Sequence, residues 1–97
     1  MYAAIRRGKG KPGSVAEVAS KVQQGLVSIM SSVPGFVAYY VVQTGEDELV
    51  TVTVFESQAG AEESNKVAAN WVRDNLGPLM AGPLELSAGE VVVHKGK

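Results

Sequence analysis

Apolar positions along this chain follow two regimes, one with a helical period and one with almost no period. Val15, Val18, Ala19, Val22, Leu26, Ile29, Met30 and Val33 recur three or four residues apart, which is the single stripe of an amphipathic helix. Residues 36–43 (FVAYYVVQ) and 49–56 (LVTVTVFE) instead form two long β-type runs that barely alternate. A strand with one wet face alternates apolar and polar side chains, so both faces of this pair are expected to leave water.

Punctuation between the runs fills in the remaining elements. Residues 2–7 predict a short first strand, followed by the turn-forming run Gly8-Lys9-Gly10-Lys11-Pro12-Gly13. Ser14 and Glu17 have the spacing of a capping box at the start of the first helix. Gly25 interrupts that helix at a cost of about 1 kcal/mol relative to Ala. Pro34-Gly35 ends it with the residues of a type II turn. Thr44-Gly45-Glu46-Asp47-Glu48 joins the two β-runs as a hairpin. Ser57 is the expected cap of a second helix over residues 58–76. Its stripe is Ala61, Ala68, Val72 and, if the helix extends, Leu79, with Trp71 and Leu76 on the flanks. Glu62 and Lys66 stand in the favourable i,i+4 orientation. A last strand fits residues 84–94, bent or bulged near Ala88-Gly89.

The resulting order, β-α-β-β-α-β, predicts a ferredoxin-like α+β fold: one domain over residues 1–97, with a four-stranded antiparallel sheet and two helices on one face. The other face carries either Leu49, Thr51, Thr53 and Phe55 or Val50, Val52 and Val54. Neither set belongs in water, so a second copy of the chain is expected to pack sheet to sheet as a homodimer.

Composition narrows the chemistry mainly by exclusion. A formal net charge of −1 gives no attraction towards nucleic acid or an anionic membrane. With no cysteine there are no disulfides, thiolate metal sites or Cys nucleophiles. No apolar run approaches the roughly 20 residues of a membrane span. The first residues place apolar side chains before the basic cluster, the reverse of a secretory leader, so the cytoplasm is the expected compartment. His94 stands alone near the C-terminus, without the imidazole or thiolate partners a metal site needs. No nucleotide-binding glycine motif is present, and no cofactor is expected. Arg6, Arg7, Lys9 and Lys11, interleaved with glycines before the first helix, read either as an anion site at a helix N-terminus or as a solvated loop; the lack of Walker spacing favours the loop.

Several ordered pieces together resemble the antibiotic biosynthesis monooxygenase family of dimeric α+β barrels. They are Pro34-Gly35-Phe36 after the first helix, Tyr39-Tyr40 shortly after, Phe55-Glu56-Ser57 at a strand end, Trp71-Val72-Arg73 in the second helix and Gly89-Glu90-Val91 in the last strand. The family includes cofactor-free oxygenases of polyketide-like aromatics, haem-degrading enzymes and members without an assigned role. In the oxygenases the substrate supplies the electrons, and the protein supplies an anion-stabilising donor, an apolar wall and a proton route. This chain departs in two places. Val67 stands where those oxygenases tend to place an Asn, about a turn before the helical Trp, and the second helix has no His to ligate haem iron.

The resemblance implies a cofactor-independent monooxygenase acting on a small aromatic or polyketide-like phenol. Trp71 and Tyr39 would bind the substrate, Asn65 or Asn75 would donate to a developing oxyanion, and Tyr40 would relay a proton. Each has a plainer reading: Trp71 as core or interface packing, and Asn65, Asn75 and Ser64 as amides and a hydroxyl satisfied by nearby backbone. Tyr39 and Tyr40 face opposite sides of their strand, and the hairpin register that decides between them stays open. RNA-recognition domains share the topology, but residues 49–55 offer no aromatic platform before Phe55. The alternative of a different class is a non-catalytic homodimer that binds a small apolar ligand or serves a structural role.

Overall fold

Strand β1 (Tyr2–Lys9) is the seam of the molecule, pairing antiparallel with β3 (Glu48–Phe55) on one side and β4 (Glu85–Glu90) on the other. In the computed structural model, which describes residues 1–96, β2 (Phe36–Gln43) completes a sheet of order β2-β3-β1-β4. Helices α1 (Val15–Lys21) and α2 (Val27–Ser31) are one rod joined through a π-helical stretch at Val22–Leu26, and α3 is Gln58–Leu76. The ferredoxin-like α+β topology is the one the hydrophobic pattern predicts.

Register settles which strand faces meet the helices. Ala4 pairs with Thr53 and Arg6 with Thr51, while Tyr39 pairs with Thr53. Ala4, Arg6, Thr53 and Phe55 are all buried, so this is the helix-covered face. Val50, Val52 and Val54 therefore share the open face with Ile5, Tyr40 and Val42, and those last three are exposed. The main core unites Val18, Val22, Leu26 and Met30 of the first rod with Ala68 and Leu76 of α3. A smaller cluster of Ala4, Phe55 and Ala61 lies towards the other end.

Four local expectations change. Ser14 makes no side-chain cap; its Oγ donates to the Leu79 carbonyl at 3.3 Å, and Glu17 pairs instead with Lys21 at 3.6 Å. Glu62 Oε1 accepts from Gln58 Nε2 at 3.0 Å and makes no ion pair with Lys66. β4 stops at Glu90, where its register with β1 reaches Tyr2, with one further bond from the Val91 N–H to the Met1 carbonyl at 2.9 Å; His94 is outside the strand. The irregularity expected at Ala88-Gly89 lies in β2 instead, between Phe36 and Ala38. Ser57 does cap α3, its side chain accepting from the Gly60 N–H at 3.2 Å. The turn after α2 forms as read, with Gly35 at φ +84° and the Phe36 N–H donating to the Val33 carbonyl at 3.2 Å.

Candidate functional site

Arg6 and Arg7 are adjacent in sequence and opposite in role, because successive strand side chains alternate faces. Arg7 points to the open face and lies 4.0 Å from Glu48. Arg6 turns under the helices and is only 3 % exposed. There its Nε donates to Thr51 Oγ1 at 2.9 Å, Nη1 to Asn65 Oδ1 at 3.1 Å, and Nη2 to Thr53 Oγ1. The guanidinium carbon lies 5.6 Å from the centre of the Tyr39 ring. Tyr39 Oη is itself buried and has no hydrogen-bond partner.

These two side chains line a cavity between sheet and helices, with Thr51 as the third polar contributor and Val18, Leu26, Val41, Leu49, Ala68 and Met80 among its apolar walls. The space open to the centres of water-sized molecules is about 50 Å³. That is less than the ~150 Å³ of a dry cavity known to accept benzene. Val72, Met80 and Leu84 also line an outer groove of about 570 Å³ that continues over Ala81, Gly82 and Pro83. Those three side chains are thus the partition between cavity and groove, and Met80 is the unbranched, most adaptable of them.

Burial shapes the electrostatics. Loss of water pulls the Arg6 guanidinium below its ordinary value, an effect that the nearby Tyr39 phenol partly reverses. Burial pushes the Tyr39 phenol up, with Arg6 and Thr51 pulling it back only in part, so it is a protonated donor at neutral pH. The arrangement brings a fixed cation and a phenolic donor to the edge of one small, mostly apolar space. No group of three His, Cys, Asp or Glu side chains suited to a metal occurs among the described residues.

The residues singled out in the sequence separate into two groups. Tyr39 lines the cavity, and Asn65 buttresses it, its carbonyl on Arg6 and its Nδ2 donating to the Ser87 carbonyl at 3.1 Å. Tyr40 lies on the open face, 58 % exposed. Asn75 is exposed, with Nδ2 donating to the Trp71 carbonyl at 2.9 Å. Trp71 does not line the cavity; its ring packs where a Cβ on Gly25 would meet Cζ2 at 2.9 Å. Ser64 is satisfied within its own helix, donating to the Ala61 carbonyl at 2.7 Å. Arg6 is the residue that sequence reasoning misplaced. The pattern of β1 places it with the basic loop, because Tyr2-Ala3-Ala4-Ile5 does not alternate and its most apolar side chain, Ile5, lies on the opposite, exposed face. The register of β1 against β3 is what turns Arg6 inward. The rest of that loop is tied down by backbone bonds, Gly10 N–H to the Asp47 carbonyl and Lys11 N–H to the Leu79 carbonyl, both at 2.8 Å.

A split βαβ sheet with its helices on one face and a small, mostly apolar cavity between them defines a ferredoxin-like α+β protein. The antibiotic biosynthesis monooxygenase model matches residues 1–68, and the chain belongs to that family. Solved structures agree on the fold. A Nitrosomonas europaea protein of unknown function, NE2512, superposes with a TM-score of 0.81 at 21% identity, covering 99% of this chain and 93% of that one. SnoaB, a cofactor-independent oxygenase from Streptomyces nogalater, gives 0.75 at 15% identity over 99% and 97% of the two chains. A monooxygenase from the gene ActVA-Orf6 of Streptomyces coelicolor, solved with nanaomycin D, gives 0.72 at 14% identity over 98% and 92%. No curated protein matches the chain.

Proposed function

We propose that this protein is a cofactor-independent monooxygenase of a small aromatic or polyketide-like phenol, working as a homodimer. The observation that carries the reading is the apolar cavity under the helices, in which Arg6, Tyr39 and Thr51 are the polar groups. Family membership and the oxygenases among its structural relatives supply the reaction type. In that chemistry an ionised phenol or enol transfers an electron to O₂, and the resulting radical pair joins to a peroxide. Loss of water then leaves a quinone carbonyl, so one oxygen atom of O₂ enters the product and the other leaves as water. The Arg6 cation favours the ionised substrate, apolar walls exclude water, and Tyr39 is the proton donor to the departing oxygen. A ring enters from the outer groove once Met80 and Leu84 swing aside.

The dimer rests on the open face. Ile5, Tyr40 and Val42 are exposed there beside Val50, Val52 and Val54, a contiguous apolar surface of the kind monomers rarely leave uncovered. Val92 and Val93, each 84 % exposed, add apolar surface beyond β4. A second copy packed sheet to sheet covers the face.

Oxygen uptake with an anthrone or naphthoquinol tests the activity, with the substrate in buffer as the blank. Uptake above the blank and a product one oxygen richer are expected. A protein that binds these phenols while uptake stays at the blank supports the second reading, a non-catalytic binding dimer. That reading is favoured by Val67 at the position of the oxygenases' helical Asn and by Asn75 lying outside the cavity.

A further inference from the structure

Arg6 is a buried cation whose partners are all neutral. Thr51, Thr53 and Asn65 accept its bonds, and among the described residues the ion pairs belong to Arg7, Lys21 and Arg73. Taking a cation out of water costs several kcal/mol unless an opposite charge is brought with it. The chain has 10 acidic side chains, and its exposed cations have recruited some of them while its most buried one has not. Of the five N–H groups of a guanidinium, three are used, which leaves one on each Nη with only the neutral Tyr39 phenol beside the guanidinium to act on it. Tyr39 Oη, buried and without a partner, lines the same cavity. Two unmatched donor sites thus open on a space whose other walls are almost entirely apolar.

We infer that Arg6 is a receptor for negative charge, and that its missing counterion is the ionised oxygen of a flat apolar ligand, a phenolate, enolate or carboxylate. Asn65, Thr51 and Thr53 are positioning residues that hold the guanidinium flat against the cavity, and Tyr39 adds a second donor to the same oxygen. Arg6 and Tyr39 are the titratable side chains of the cavity lining, so no carboxylate of the chain competes for the site. This inference rests on the cavity being the ligand site, as proposed above, and is independent of oxygen chemistry.

Two small ligand pairs test it by equilibrium binding. 4-Nitrophenol reports its own ionisation by colour, and an uncompensated cation at contact should lower the apparent pKa of the bound molecule by about 1–3 units. Benzoate should bind at least about tenfold tighter than its neutral isostere benzamide, a 1.4 kcal/mol difference. The tighter of nitrophenolate and benzoate tells whether the site prefers a phenolate or a carboxylate. Arg6→Met should abolish both preferences, with a cooperative melting curve without ligand showing that it folds. Arg6→Lys should keep a reduced preference for the anions. If Arg6→Met fails to fold, the wild-type comparisons decide alone. An unshifted or raised nitrophenol pKa, equal affinity for benzoate and benzamide, no binding of either anion, or an anion preference that survives Arg6→Met would each overturn the inference. Anion binding without oxygen uptake leaves it standing and removes the oxygenase reading. Oxygen uptake with no anion preference removes this inference alone.

Discussion

At Tyr39 a phenolic hydroxyl is buried without a partner, which is costly in a finished core and useful in a site that awaits a ligand. Tyr39→Phe removes that orphaned group, so its melting temperature should equal or exceed the wild type's. Differential scanning calorimetry checks this. The alkaline behaviour follows from the raised phenol. As pH climbs past about 10 the unfolded chain ionises Tyr39 before the folded chain does. The folded state then holds the extra proton, and stability that is full below this range falls above it. Melting curves between about pH 8 and 11 should show a steeper loss for the wild type than for Tyr39→Phe. Asn75→Ala addresses a different residue-scale question. The Asn75 amide is tied to the exposed Trp71 carbonyl, so the substitution should leave ligand affinity in the cavity unchanged while lowering the melting temperature slightly. An isothermal titration with benzoate separates the two effects.

Elements show where periodicity informs and where it misleads. The first rod carries Gly25, which helix propensity alone marks as about 1 kcal/mol worse than Ala. Contact geometry reverses the sign, because a Cβ there would meet Trp71 Cζ2 at 2.9 Å. Gly25→Ala should therefore destabilise by about 1–3 kcal/mol, read by urea unfolding followed through the fluorescence of the single Trp. In a Trp71→Leu background, followed by circular dichroism, the same change should become neutral or favourable. The π-helical stretch Val22–Leu26 around that contact was not legible, since a stripe spaced three and four apart is the same whether the backbone bonds span four residues or five. Caps were half legible. Ser57 has extended backbone and accepts from Gly60, but Ser14 is helical at φ −92° and ψ −10°, so its hydroxyl turns to Leu79. Ser57→Ala should cost about 1 kcal/mol, checked by the midpoint of thermal unfolding. Val91, Val92 and Val93 have the composition of a strand, whereas the pairing of β4 with β1 ends at Glu90 opposite Tyr2.

For the whole molecule, topology followed from the order of the patterned runs, and the need to cover a sheet face followed from runs too apolar to alternate. The valine face proved to be the open one, so Val52→Lys places a charge between Ile5 and Tyr40. In light scattering on a gel-filtration column the wild type should have the mass of a dimer and Val52→Lys that of a monomer. A wild-type monomer at high micromolar concentration would contradict the sheet-to-sheet pairing. The site was only partly legible for a related reason. Trp71, Asn65 and Asn75 attract notice as unusual residues on α3, but the cavity's chemistry comes from β1 and β2, and only the strand register shows that Arg6 and Tyr39 face inward together. The account places the ligand beneath the helices with its charged oxygen on that pair. A crystal structure of the protein with a bound naphthoquinol or benzoate tests it most directly. The account predicts the ligand oxygen within hydrogen-bond distance of Arg6 Nη1 or Nη2 and Tyr39 Oη, with Met80 displaced towards the outer groove. A ligand seated against Trp71, on the valine face, or in the cavity with its oxygen turned away from Arg6 would contradict it.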